Sequence, residues 1–142
     1  MTAITLELRP LIYLTEEQFY QLCQNNPDIR LERNAKGELI IMPPTGWGTG
    51  KRNFSLLGQL WVWVENNSGL GVGFDSSTGF KLPNGADRSF DAAWVRQERL
   101  DALNPDPDKF LPLSPDFVVE CSSQPARAFV VCDRPMPLGV EV

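Results

Sequence analysis

A chain of 142 residues with 42% hydrophobic and 22% charged side chains can bury roughly two-thirds of its unfolded surface around one core, and its composition excludes a disordered chain. It contains no histidine, which removes Ser-His-Asp and Cys-His catalysis and histidine metal sites, leaving carboxylates, lysine, hydroxyls and thiols for any chemistry. A formal net charge of -5 argues against tight non-specific nucleic-acid binding over a broad positive face, but leaves room for a local basic rim around an acidic metal site.

Thr15-Glu16-Glu17-Gln18 reads as a capping box, with Leu14 set to staple onto Phe19, and predicts a short helix to about Gln24. Asn25, Asn26 and Pro27 stop it. After the charged stretch Asp28 to Lys36, a turn at Gly37 leads into a strand from Glu38 to Met42, which Pro43 and Pro44 end. A loop carrying Gly46, Gly48 and Gly50 then passes into a second helix from about Lys51 to Glu65. Phe54, Leu57, Leu60, Trp61 and Val64 recur there at helical spacing and predict a deeply packed face.

From Gly69 onward, short runs bounded by turn residues predict a meander: Gly71 to Phe74, Gly79 to Leu82 and Ser89 to Val95. Pro83-Asn84-Gly85 is the turn between the last two. Arg96 to Leu103 reads as a helical turn, Asn104 to Asp108 as a loop broken by two prolines, and Phe117 to Glu120 as a buried strand ending in a carboxylate. Beyond Glu120 the pattern ends. Cys121 to Val142 holds Pro125, Pro135 and Pro137 and one apolar run, Ala128 to Val131, suited to a lone strand.

The longest apolar run, Leu60 to Val64, is far short of the roughly 20 residues of a membrane helix, and Met1 to Ile12 lacks the charged start of a signal peptide. A cytoplasmic protein with no membrane partner is expected. Cys23, Cys121 and Cys132 are widely spaced and read as reduced thiols.

Two constellations bear on chemistry. Gly46 to Lys51 joins a strand to a helix and ends in Gly-Lys, as a phosphate-binding loop does. It has three residues between its outer glycines instead of four, and Arg52 where Ser or Thr would hold magnesium, so it reads as a flexible connection. The second constellation is a set of acids at strand ends: Glu32, Asp91 and Glu120. Two acids on neighbouring strands can chelate a hard cation without histidine, and an Asp inside the apolar run Phe90 to Val95 is costly unless paired or metal-bound. Asp91 and Glu120 could instead lie on solvated faces or pair with arginines such as Arg88 and Arg96.

Leu31-Glu32-Arg33, Gly37 to Gly46, Phe74 to Gly85, Asp91 to Val95 and Pro115 to Glu120 closely resemble, in that order, the Uma-two family of putative restriction endonucleases, within the PD-(D/E)XK nuclease superfamily. The resemblance implies an α/β restriction-endonuclease-like core, a mixed β-sheet flanked by helices, with an acidic magnesium site at one end of the meander. It matches Asp91 to the metal-binding aspartate, Glu120 to the acid of the (D/E)XK half-motif, and Glu32 to an early glutamate that completes the site. Asp91 and Glu120 would hold Mg2+, or Mn2+, for phosphodiester hydrolysis of DNA, with a second copy of the chain as an optional partner. Phe90 stands where the superfamily has proline, and Ser122 where it has the motif lysine.

The expected organisation is an N-terminal extension over residues 1–13, a core over 14–120 and a divergent tail over 121–142 that leaves the fold incomplete, as a truncated or frame-shifted end would. The expected function is a magnesium-dependent endonuclease, weak or inactive without the lysine. The alternative is a non-catalytic remnant or interaction module.

Overall fold

The computed structural model describes residues 3–121 and the backbone of residues 127–130. One sheet contains β1 (Ile4–Leu6), β2 (Arg30–Arg33), β3 (Leu39–Met42), β5 (Phe80–Lys81) and β6 (Asp87–Arg88), in the order β1-β3-β2-β6-β5. The other contains β4 (Gly71–Asp75), β7 (Ala92–Arg96), β8 (Phe117–Glu120) and β9 (Arg127–Val130), in that order. The helices are α1 (Glu16–Asn25), α2 (Trp47–Asn66) and α3 (Gln97–Leu103).

The α/β class holds, with the strands arranged as two antiparallel sheets, and an isolated parallel bridge joins Phe80 of the first sheet to Leu111 in the connection before β8. Tight turns account for much of this, because they return the chain antiparallel, whereas parallel pairing needs a long crossover. Gly37 at φ +84 closes the turn between β2 and β3, its N–H donating to the Asn34 carbonyl at 2.9 Å. Gly85 at φ +88 does the same between β5 and β6, donating to the Leu82 carbonyl at 3.0 Å.

The second sheet carries the core on both faces. Along β7 and β8 the side chains alternate: Ala92, Trp94, Phe117, Val119 and then Cys121 face α2, with Leu60. Ala93, Val95 and Val118 face the opposite way, with Phe80, Leu111 and Leu113. Trp94 is fully buried and meets Trp63 edge-on at 5.3 Å.

The capping box of α1 is present, with the Gln18 N–H donating to Thr15 Oγ1 at 3.1 Å and the Thr15 N–H to Gln18 Oε1 at 2.9 Å. Three expectations are corrected. The charged stretch 28–36 contains β2, because Glu32 and Arg33 are buried with partners that offset their charge. The glycine loop is absorbed into α2, which starts at Trp47 with Gly46 as its N-cap, so no phosphate cradle forms. The face of α2 is rotated from the expected one. Leu56, Leu57, Leu60, Trp63 and Val64 meet the sheet, while Phe54 and Trp61 are 83% and 62% exposed. Phe54 and Trp61 share the helical period, but lie about 100° or more round the helix from Leu60.

Ile4–Leu6 joins the first sheet as an edge strand. The backbone of β9 pairs with β8, so the run expected as a lone strand starts one residue earlier and is paired. Residues 122–126 and 131–142, which include Ser122, Val131 and Cys132, lie outside the described residues. Cys23 and Cys121 are free thiols. Among the described residues no helix is long and apolar enough to cross a membrane.

Candidate functional site

Ser89, Phe90 and Asp91 carry the chain from β6 in the first sheet to β7 in the second. Both backbone polar groups of Ser89 are held from β2: its N–H donates to Glu32 Oε1 at 3.2 Å, and its carbonyl accepts from Arg30 Nη2. Asp91 Oδ2 accepts the backbone N–H of Cys121 at 2.6 Å. The register Trp94 to Phe117, Ala93 to Val118 and Ala92 to Val119 places Asp91 just before the start of β7 and Glu120 at the end of β8, at the same end of the strand pair. The ladder itself ends at Ala92, and Phe90 packs with Ala93 and Val118, so strict alternation stops at the crossing; Asp91 lies near enough to Glu120 for its charge to act on that carboxyl. The crossing thus brings acids from two sheets together.

Glu32 is 2% exposed and is compensated from three sides. Besides the Ser89 N–H, Arg30 Nη2 lies 3.3 Å from Oε1 and Arg88 Nε 2.9 Å from Oε2. Arg30 Nη1 also reaches to 3.6 Å from Asp91 Oδ1. No hydrogen bond or ion pair to a described residue engages the Glu120 carboxylate. Burial, then the negative charges of Asp91 and Glu32, push its pKa from 4.5 up to about 7, with Arg30 and Arg88 pulling against them. Burial and the Asp91 charge also raise the Cys121 thiol.

Two open clefts flank the crossing. Glu120, Arg88 and Phe90 line one of about 480 Å³, with Asn34 and Asn84. Arg30 and Ser89 line the other, of about 470 Å³, with Ser76, Ser77 and Phe110.

Hard divalent cations take oxygen ligands, and Asp91 with Glu120 offers two carboxylates at one end of the β7–β8 pair. Both oxygens of Glu32 are committed to arginines and to Ser89, and among the described residues no three acidic or thiol side chains are arranged to hold an ion together. The donor set fits a two-carboxylate site, with Glu32 behind it as the anchor of the arginines.

Of the arginines weighed as partners for the acids, Arg88 pairs with Glu32, whereas Arg96 approaches Asp116 within 3.5 Å at the far end of β7. Lys81 pairs with Glu16. Arg30 went unnoticed in the sequence because β2 did. Its signal was Arg30-Leu31-Glu32, an alternation that sets the two charges on one face of a strand. Also missed were the buried pair of Arg33 Nη2 with Asp87 Oδ2 at 2.6 Å and the buried Asp116, whose Oδ2 accepts from the Arg96 N–H at 2.9 Å.

The α/β class is the one that the sequence blocks implied. The family model for Uma2, described as a putative restriction endonuclease, matches residues 16–129, and the chain belongs to that family. The match runs past Glu120 to take in most of β9. No curated protein matches the chain.

Proposed function

We propose that the chain is a magnesium-dependent endonuclease hydrolysing DNA phosphodiester bonds, with Asp91 and Glu120 as the ion's ligands. The observation that carries this reading is the meeting of the two acids at one end of the β7–β8 pair, Asp91 fastened to the Cys121 N–H that follows Glu120, and Glu120 lining an open cleft. The family description supports the reaction class. Bound magnesium, or manganese, would polarise the scissile phosphate and make the attacking water more acidic. Asp91, oriented by the Cys121 N–H, and Glu120, whose pKa is raised to about 7, would hold the ion in their ionised forms. Glu32 holds Arg30 and Arg88 at the rim. Turnover is expected to be slow, because Ser122 in the motif's third position adds no positive charge. The cell's cytoplasm is the proposed setting.

A second reading, a non-catalytic interaction module, is favoured by the way the arginines already satisfy Glu32 and approach Asp91. Manganese titration followed by electron paramagnetic resonance separates the two. One ion per chain in the wild type, lost in Asp91→Asn and in Glu120→Gln, is the result expected of the nuclease. No uptake by the wild type would favour the module.

A further inference from the structure

We infer that Arg30 and Arg88 form a binding site for a DNA phosphodiester group astride the Ser89 crossing, and that a metal ion and Arg30 compete for Asp91. The metal coupling rests on the nuclease reading above; the arginine site does not.

Neither guanidinium is used up by its structural contacts. Arg30 Nη2 serves Glu32 and the Ser89 carbonyl, but Nη1 has only the long 3.6 Å approach to Asp91, and Nε is buried without a hydrogen-bond partner. Arg88 touches Glu32 through Nε at 2.9 Å without hydrogen-bond geometry. Its terminal nitrogens take no hydrogen bond or ion pair from the described residues. Each arginine lines one of the two clefts beside the crossing. Other arginines of the core are spent differently: Arg33 on Asp87 and the Leu14 carbonyl, Arg99 on Asp116.

Arg88, held by Glu32 through Nε, presents its two terminal nitrogens as a preorganised fork that suits the paired oxygens of a phosphodiester, and Arg30, its Nη2 engaged and its Nε buried, adds Nη1. Lysines elsewhere in the chain offer charge without that fork. The acids set the condition for binding. Without an ion, Asp91 and Glu120 repel a phosphate while Asp91 holds Nη1 of Arg30. An ion on Asp91 neutralises the acids and releases Nη1 toward the cleft, so ion and phosphodiester should bind with positive, reciprocal coupling. Positive charge supplied from β2 and β6 would then stand in for the lysine absent at Ser122.

The test uses the full chain, a short labelled single-stranded oligodeoxynucleotide followed by fluorescence anisotropy, with and without Ca2+, and manganese uptake on the same samples. Arg30→Gln and Arg88→Gln should each weaken the oligonucleotide about tenfold, and Ca2+ should strengthen wild-type binding. Arg30→Gln should raise manganese affinity several-fold, because a competing cation has gone. Lys109→Gln, a remote surface cation, should change none of these. Where the glutamine variants fail to fold, Arg30→Lys and Arg88→Lys replace them, keeping charge and losing the planar guanidinium that Glu32 orients; each should weaken binding about threefold or more.

Wild-type binding that both arginine variants retain, a loss that Lys109→Gln reproduces, or no binding by the wild type would each overturn the site. Manganese affinity that falls in Arg30→Gln overturns the competition. Arginine-dependent binding in a chain that takes up no manganese sustains the phosphodiester site and defeats the metal reading instead.

Discussion

Cys121 donates its backbone N–H to Asp91 Oδ2 at 2.6 Å, fastening the entry of β7 to the exit of β8 at one end of the second sheet. The carboxylate therefore has a structural task as well as a proposed chemical one, and substitutions separate them. Asp91→Asn keeps an oxygen for the Cys121 N–H and should change stability by less than about 1 kcal/mol. Asp91→Ala leaves that N–H without its acceptor and should cost about 1–3 kcal/mol. Both should abolish manganese uptake. Retention of the ion by either variant would remove Asp91 from the ligand set, whatever urea unfolding shows.

Glu120 gives the fold a pH dependence of unusual sign for an acid. Its pKa is raised from 4.5 to about 7, by burial first and by Asp91 and Glu32 next. Between those two values the folded protein keeps a proton that the unfolded chain has released. This group's contribution to stability therefore falls as pH rises through the window and levels off above it. Because the side chain is only partly buried, the fall is about 1–2 kcal/mol after allowance for solvent screening. Urea midpoints at pH 5 and pH 8 should diverge more in the wild type than in Glu120→Gln. Equal divergence would show that Glu120 is ionised throughout. Ion binding in the same window should release a proton, seen as buffer-dependent heat.

On α2 the packed residue is Leu60, 4% exposed, and its neighbour Trp61 points outward at 62%. Leu60→Ala should cost about 2–5 kcal/mol, since it opens a cavity against Trp94, Ala92 and Phe117. Trp61→Ala should cost less than about 1 kcal/mol. Thermal or urea unfolding of the pair decides between this face and one rotated toward Phe54 and Trp61, for which the order of the two losses would invert.

That helix shows where the sequence was legible and where it was not. Period alone recovers a helix and names Leu57, Leu60 and Val64, but Phe54 and Trp61 satisfy nearly the same spacing, and only the sheet beneath selects the face. Residues whose local chemistry decides their conformation were legible: the Thr15 cap, Gly37 and Gly85 in their turns, Phe117 to Glu120 as a strand. The strand β2 was hidden because buried charge reads as solvated loop until its partners are known, and those partners, Asp87 and Arg88, lie more than fifty residues away along the chain. The same distance concealed Arg30. The resemblance named Glu32, Asp91 and Glu120, and Arg88 was legible as a possible partner of the acids, yet the place of Arg30 between Glu32 and Asp91 became visible only once the two sheets had been brought together.

Cleavage itself is the last expectation. Two carboxylates can position a hard cation, but the phosphoryl transition state gathers more negative charge than the ground state, and loss of one well-placed stabiliser typically costs about 10²–10³ in rate. Ser122 supplies none, and Arg30 must first leave Asp91, so the chain should nick supercoiled DNA slowly with Mn2+ and more slowly with Mg2+. Asp91→Ala should abolish this nicking. Arg30→Gln should lower it at saturating Mn2+ even though the ion binds more tightly, a split that a purely structural role for Arg30 would not produce. Restoring charge through Ser122→Lys should raise the rate in the wild type and rescue part of the loss in Arg30→Gln. Nicking that persists in Asp91→Ala would assign the activity to a contaminant, and Arg30→Gln cleaving as fast as the wild type at saturating Mn2+ would leave the arginine a scaffold for Ser89 and nothing more.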